Sequence, residues 1–420
     1  MDSTALSTQQ DQAPKRESRG PVAPDSRLVE VDIVRGFALF GVLLVNMYGF
    51  GADSIAWNSA TDQLAYSTMH IFFESKSWTL FSLLFGFGFA LQLERAHARG
   101  LRAIPAYLRR LAALFVLGVA HALLYDGDIL MLYAELGLVL LLVRRLPART
   151  LVLVAVALLL VFPLAHFASN EHLDGPNDPE SARAELAQAQ RSHVYAVGTL
   201  AEIAADNAIY IPANPLDDPT ASESGFAVFA MLLLGLCIGR SGILRDIPGN
   251  TAAIAGVRAW GLGLGLGAMA VEQVLSATAG YEAFRAPHAE PAVQLAGDLL
   301  FAFGTTALAL GYAAALVLAA QTPRGRAILA PLAAVGRLAL TVYLTQTLLF
   351  TTLFYGYGFG QAFRLGPVAV TCWAIAFFAI QVVACRWWSA RFRFGPVEWL
   401  WRSLTYLQWQ PLRLSSPSTP

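Results

Sequence analysis

Charge is what this sequence is shortest of: Asp, Glu, Lys and Arg make up only 14% of its 420 residues, against roughly 25% in soluble domains. So few charges cannot cover a water-facing surface, which excludes a soluble globular protein. Lysine is almost missing, with Lys15 and Lys76 alone, and arginine stands in its place. The formal net charge is zero, and no basic, aromatic-interleaved surface is written into the chain, so no nucleic-acid partner is expected. Cysteine is scarce too: Cys237, Cys372 and Cys385 lie in or beside apolar segments without a pairing pattern. They imply neither a disulfide framework nor a zinc site, and no resident metal is expected. A cleavable signal peptide is also missing, because the first apolar run begins after residue 30 and lacks a small-residue cleavage site.

What is present is apolar: 56% of residues are hydrophobic and the mean hydropathy is +0.52. Runs close to the roughly 20 residues needed to cross a hydrocarbon core recur along the chain. Lipid offers backbone groups no partners, so such runs must be helices, and they lack the short alternation of a membrane β-barrel. The expected fold is all-α, a polytopic integral membrane protein of about ten transmembrane helices. Spans are placed near 31–50, 72–93, 107–125, 129–143, 150–168, 225–240, 253–275, 293–320, 332–354 and 367–386.

Arginine in the short connections sets the orientation. Arg95, Arg109 and Arg110 flank the second connection, Arg144, Arg145 and Arg149 mark the fourth, and Arg240, Arg245 and Arg258 the sixth. Arg324, Arg326 and Arg337 mark the eighth, and Arg386, Arg391 and Arg393 follow the last span. Every even connection is basic, so both termini are expected in the cytoplasm. The long loop at 169–223 is acidic instead, with Glu171, Asp174, Asp178, Glu180, Asp217 and Asp218. It is expected outside, with a surface helix near 181–208. The resulting division is a disordered cytoplasmic tail over 1–26, a five-helix unit over 27–168 and the extracytoplasmic loop over 169–223. A second five-helix domain covers 224–407, and a disordered tail covers 408–420.

Ionisable groups inside a bilayer need a partner or a task. In the first span Arg35 precedes Asn46 by eleven residues, which puts both within roughly 20° of one helix face and about 16 Å apart in height. Arg35 can serve as a cytoplasmic anchor paired with Asp32 one turn earlier, and Asn46 can bond between helices. The next hairpin reads His121-ALLY-Asp126-Gly-Asp128. A histidine beside a carboxylate has its tautomer fixed and its basicity raised, as a general base requires. The same residues also admit a cation site, or a cap on the following helix by Asp128. Lys76 can snorkel outward. Glu135, Glu272 and Asp298 lie within later spans, and Thr341, Tyr343, Thr345, Gln346 and Thr347 make the ninth span polar on more than one face. Together they suggest a polar cavity open to the outside, with Arg35, Arg109, Arg110 and Arg337 around its cytoplasmic side, where arginine would clamp phosphates. The glycines of FGFGFA (Gly86, Gly88) and GLGLGLG (Gly261, Gly263, Gly265, Gly267) follow no strand, so they read as helix-packing positions rather than nucleotide loops.

The stretches VDIVRGFALFGVLLVN, KSWTLFSLLFGFG, HALLYDGDIL, GRLALTVYLTQTLLFTTLFYGYGFG and GPVEWLWRSLTY resemble the signature segments of the YeiB-like family, also called the domain of unknown function 418 family. The resemblance runs from about residue 27 to 407, and residues 230–400 correspond to the domain that names the family. It implies a multi-pass protein of the bacterial cytoplasmic (inner) membrane, with lipid as its surroundings. The first stretch is also similar to a wider superfamily of membrane acyltransferases, which move an acyl group from cytoplasmic acyl-CoA to a glycan or other acceptor outside. In that superfamily an arginine is followed, after ten residues, by a catalytic histidine; here Arg35 matches and Asn46 holds the histidine position. An amide cannot take a proton from an acceptor hydroxyl, so His121 with Asp126 or Asp128 is the expected replacement. Asn46 would position or polarise a carbonyl, with Arg35, Lys76, Gln346 and Tyr343 as binding residues. Acyl-CoA is the implied donor and an extracytoplasmic small molecule or glycan the implied acceptor. The competing expectation is a carrier for a small polar or amphipathic solute, for which the intramembrane carboxylates would suit proton coupling. A non-catalytic membrane component, with the polar residues as helix glue, is the third.

Overall fold

The apolar runs are helices in the computed structural model, which describes residues 28–51, 59–98, 100, 103–169, 179–211, 219–279 and 290–414. The tail at 1–26, the loop acids Glu171, Asp174, Asp178, Asp217 and Asp218, and residues 415–420 lie outside the described residues. Among the described residues there are fifteen helices and no strand. The first half carries α1 (Val29–Gly51), α2 (Ala60–Phe72), α3 (Lys76–Ala98), α4 (Ala103–Ala122), α5 (Leu130–Val143), α6 (Ala148–Ser169), α7 (Pro179–Val197) and α8 (Leu200–Tyr210). The second carries α9 (Pro219–Ser241), α10 (Thr251–Ala279), α11 (Pro291–Ala319), α12 (Pro323–Arg337), α13 (Ala339–Phe354), α14 (Pro367–Ser389) and α15 (Pro396–Tyr406).

This is an all-α polytopic membrane protein. Six helices (α1, α4, α6, α10, α11 and α14) are long and apolar enough to cross a bilayer, and α12 with α13 makes a seventh if counted as one broken span. The apolar parts of α5 and α9 are shorter, and α3 ends in the polar run QLERAHA. Each of the ten expected spans has its own helix or bent pair, while length and composition alone qualify six or seven.

Four local departures from the sequence expectation have physical causes. The ninth span is not straight: α12 and α13 meet at 78°, with Leu338 N–H turning back to Val335 O at 3.0 Å. The second span begins only at Lys76, because Ser75 takes a left-handed φ of 61° and makes a corner after α2. The surface helix expected near 181–208 is two helices, α7 and α8, the second opened by a reciprocal capping box between Thr199 and Glu202. The tail expected from 408 is packed through Leu414: Arg393 N–H donates to Leu412 O at 2.9 Å, and Trp399 Nε1–H to Gln410 O at 2.7 Å.

Two glycine crossings hold the bundle together. A Cβ at Gly36 would fall 2.0 Å from Leu332 O, and one at Gly336 would fall 1.9 Å from Asp32 O, so α1 and α12 touch backbone to backbone. Gly86 and Gly235 do the same for α3 and α9, each 2.0 Å from a carbonyl of the other helix. Without a hydrophobic drive between helices in lipid, such close approach is what makes van der Waals attraction large. The GLGLGLG run divides: Gly261 and Gly265 face α11, whereas Gly263 and Gly267 face open space.

Candidate functional site

α1 carries Arg35 and Asn46 along one face, and two cavities follow that face. The larger, about 390 Å³, is lined by Asn46, Tyr125, Asp126, Gln188, Arg191 and Tyr195 among others. The second, about 320 Å³, has Arg35, Arg110, Arg337 and Arg402 at one end and Asn46, Ser75, Ser77 and Tyr343 at the other. Its middle is apolar, walled by Val42, Phe81, Leu84, Phe85 and Leu114. Val45, Asn46 and Gly127 line both cavities, so the two abut at Asn46.

The arginine end gathers four guanidinium groups. Arg35 Nη1 donates to Asp32 Oδ1 at 2.8 Å and to Gly336 O at 3.2 Å. Arg110 Nη1 donates to Gln92 Oε1 at 2.8 Å, and its guanidinium lies 4.4 Å from the Trp401 ring centroid. Arg110 Nε is buried without a hydrogen-bond partner among the described residues. Arg402 lies over the Phe394 ring at 4.9 Å. Among the described residues the one carboxylate lining this cavity, Glu398, is spent elsewhere: its Oε1 accepts from Leu340 N at 2.7 Å and Thr341 N at 3.0 Å, and its Oε2 accepts from the Thr341 hydroxyl. It therefore caps the start of α13, where the helix dipole favours a negative charge. Arg109, expected in the ring, instead donates to Thr405 O at 2.8 Å, and Arg402 occupies the fourth place.

The histidine hairpin is closed. His121 Nδ1 donates to Asp128 Oδ1 at 2.6 Å, and Nε2 shares a 2.8 Å bond with the Thr347 hydroxyl. Asp128 Oδ2 accepts from Met131 N at 2.8 Å and so caps α5. His121 is 4% exposed and lines neither cavity. Its ring sits 5.0 Å from that of Tyr343, which does line the second cavity. With both nitrogens engaged, His121 has no free lone pair to offer a substrate in either cavity. Asp126 behaves differently: it lines the larger cavity, its side chain 36% exposed and 3.5 Å from Arg191 Nη2. Replacing His121 with alanine would strand the Asp128 carboxylate, and the unfolding free energy is expected to fall by about 3 kcal/mol. Urea titration in detergent micelles checks this, and an unaltered midpoint would show the pair to be unimportant for folding.

Two other expected site residues stand away from the cavities. Lys76 is buried, donating to His70 O at 2.9 Å and lying 5.2 Å from the Phe301 ring centroid. Gln346 donates to Gln381 Oε1 at 2.9 Å and ties α13 to α14. Of the expected site residues, then, the fold brings Arg35, Asn46, Asp126 and Tyr343 to the cavities and keeps His121, Asp128, Lys76 and Gln346 behind them. Sequence reasoning missed Arg191, Tyr195, Trp401 and Arg402, which come from α7 and α15.

Glu272 and Asp298 are engaged outside the cavities. His166 Nδ1 donates to Asp298 Oδ2 at 2.7 Å. His70, on the non-spanning α2, bonds Glu74 Oε2 at 2.6 Å through Nδ1 and Glu272 Oε2 at 3.1 Å through Nε2, with Lys76 against its backbone. Burial pulls the imidazole's affinity for protons down, but the bonds to Glu272 and Glu74 outweigh it and push the pKa up from 6.5 to about 9. A pKa raised on folding contributes stability that is complete below 6.5 and lost as pH rises through about 9. The melting temperature in micelles is expected to fall across that window, and His70→Ala is expected to flatten the slope.

Residues 238–408 match the model of a family described as a protein of unknown function, DUF418. The chain is 34% identical over 414 residues to the uncharacterized protein YxaH of Bacillus subtilis (strain 168), covering 93% of this chain and 97% of that one. It is 31% identical over 401 residues to the uncharacterized protein YeiB of Escherichia coli (strain K12), covering 90% and 96% respectively. An uncharacterized 39.9 kDa protein in the amylase 3' region of Bacillus acidopullulyticus is 27% identical over 401 residues, covering 94% and 98%.

Proposed function

The chain belongs to the YeiB-like family, that of the domain of unknown function 418, and we propose that it transfers an acyl group from an acyl-CoA in one cavity to a hydroxyl or amine in the other. The observation that carries this reading is the abutment of an arginine-ended cavity and an Asp126-lined cavity at Asn46. Arg35, Arg110, Arg337 and Arg402 hold the donor's phosphates at the mouth, where planar guanidinium forks match phosphate oxygens. The second cavity, about 320 Å³, lies at the small end of ligand pockets, so it takes the thioester-bearing arm and leaves the nucleotide outside.

With the thioester at Asn46, the acceptor's oxygen or nitrogen attacks the acyl carbon and the carbon–sulfur bond breaks. Asp126 takes the acceptor's proton, and the thiolate of CoA leaves. The Asn46 amide donates to the carbonyl oxygen as negative charge gathers there. His121 and Asp128 act through Tyr343 and the hairpin as positioning residues. The sidedness, with the donor cytoplasmic and the acceptor outside, follows the arginine bias of the short connections.

The test uses purified protein in lipid nanodiscs with radiolabelled acetyl-CoA. Arg110→Ala is expected to raise the dissociation constant about tenfold, equivalent to about 1.4 kcal/mol. Asn46→Ala is expected to lower thioester cleavage roughly 100-fold, as for loss of one oxyanion donor, with binding retained. Neither binding nor cleavage of any common acyl-CoA by folded protein would sink the reading. The second reading, a carrier for a small polar or amphipathic solute, draws on one specific observation: among the described residues no histidine lines either cavity. Proton-dependent uptake by vesicles without acyl-CoA would favour it.

A further inference from the structure

The FGFGFA run holds two glycines with different surroundings. Residues two apart on a helix point to nearly opposite sides. Gly86 faces α9, where any Cβ would meet the Leu232 carbonyl at 2.0 Å, so packing explains it. Gly88 has nothing within 4 Å of a Cβ position, and it lines the arginine-ended cavity. Glycine in a helix interior costs roughly 0.5–1 kcal/mol relative to alanine, and no close backbone contact offsets that cost at Gly88. Around it stand Leu84 and Phe85 on α3 and Leu114 and Arg110 on α4. One turn further along α3, Gln92 holds Arg110 by its Nη1, while Arg110 Nε has no hydrogen-bond partner among the described residues. Gly88 thus sits between the positive mouth and the apolar middle.

We propose that Gly88 is the threshold of this cavity, the place where a missing side chain admits the narrow, unbranched arm of a ligand whose anionic head stays on the arginines. The proposal rests on the reading that the donor occupies this cavity, and it defines the ligand class as a phosphate-bearing head with a single slender arm. A side chain at residue 88 fills the passage in proportion to its size without disturbing the α3–α9 crossing.

The experiment compares Gly88→Ala, Gly88→Leu and Gly88→Trp in nanodiscs, each first shown to melt like the parent protein. Gly263→Leu, at a glycine on α10 with equally open surroundings, is the control and is expected to change nothing. Acetyl-CoA affinity is expected to fall with side-chain volume, by about tenfold or more for the larger residues. A second readout does not need acyl-CoA. A cysteine placed at Val42, inside the cavity, is labelled with an anionic methanethiosulfonate, and Gly88→Trp is expected to slow labelling about tenfold. Slowed labelling in a protein that never binds acyl-CoA would keep the threshold and remove the donor. Unchanged labelling with Gly88→Trp would overturn the threshold, whatever acyl-CoA does. Should the tryptophan variant not fold, a labelling rate equal in the parent and Gly88→Leu proteins would overturn it as well.

Discussion

Replacing Glu398 with alanine is expected to lower the unfolding free energy by about 3 kcal/mol or more and to abolish ligand binding in the arginine-ended cavity. Glu398 is 7% exposed, and its carboxylate receives three donors, from Leu340 N, Thr341 N and the Thr341 hydroxyl. Removing it leaves those donors buried and unpaired, at about 1–3 kcal/mol each when no water replaces the acceptor. It also removes an acceptor that ties the first turn of α13 to α15 beside the bend with α12. Glutamine at the same position keeps an acceptor and is expected to recover part of the loss. Unfolding in detergent micelles followed by tryptophan fluorescence, together with acetyl-CoA binding, reads both effects. An alanine variant with parental stability would show the bend to be self-supporting.

The second large effect is expected from Gly336→Val. Even the first carbon of that side chain would lie 1.9 Å from Asp32 O and 2.9 Å from Gly36 N. Backbone cannot give way as a flexible side chain can, so α1 and α12 must separate. Overpacking of this kind costs about 1–3 kcal/mol and sometimes more. The separation also breaks the bond from Arg35 Nη1 to Gly336 O and carries Arg337 off the cavity wall. Binding should therefore be lost more completely than stability. Gly256→Val, at a position with no atom within 4 Å of its Cβ, is expected to stay within about 0.5 kcal/mol of the parent.

Hydropathy made the helical segments readable, because it reports on solvation, which acts on whole runs of residues. The shared face of Arg35 and Asn46 was readable because a regular helix fixes angle and rise. The His121–Asp128 bond was readable as a pair, but not its closure. That depends on Thr347, 226 residues away in sequence, and no local pattern marks such a partner. The bend at Leu338 was invisible for a similar reason. The apolar run continues across it, and the acid that stabilises it comes from α15. Arg191 and Arg402 were overlooked because neither the surface helix expected near 181–208 nor the stretch GPVEWLWRSLTY carries a local sign of which side chains meet the bundle. Lys76 was read as a snorkelling residue because its acceptor, the His70 carbonyl, belongs to a backbone corner that only Ser75's left-handed φ creates.

The packed end of the chain bears on how the molecule is born. Leu412 and Gln410 bind back to the segment around α15, α15 supplies Trp401 and Arg402 to the cavity, and Glu398 secures α13. Every one of these groups leaves the ribosome after α1 to α14. Until α15 arrives, the arginine-ended cavity lacks the wall that Trp401 and Arg402 make. A chain cut before Pro396 is therefore expected to keep the earlier helices and to lack this wall.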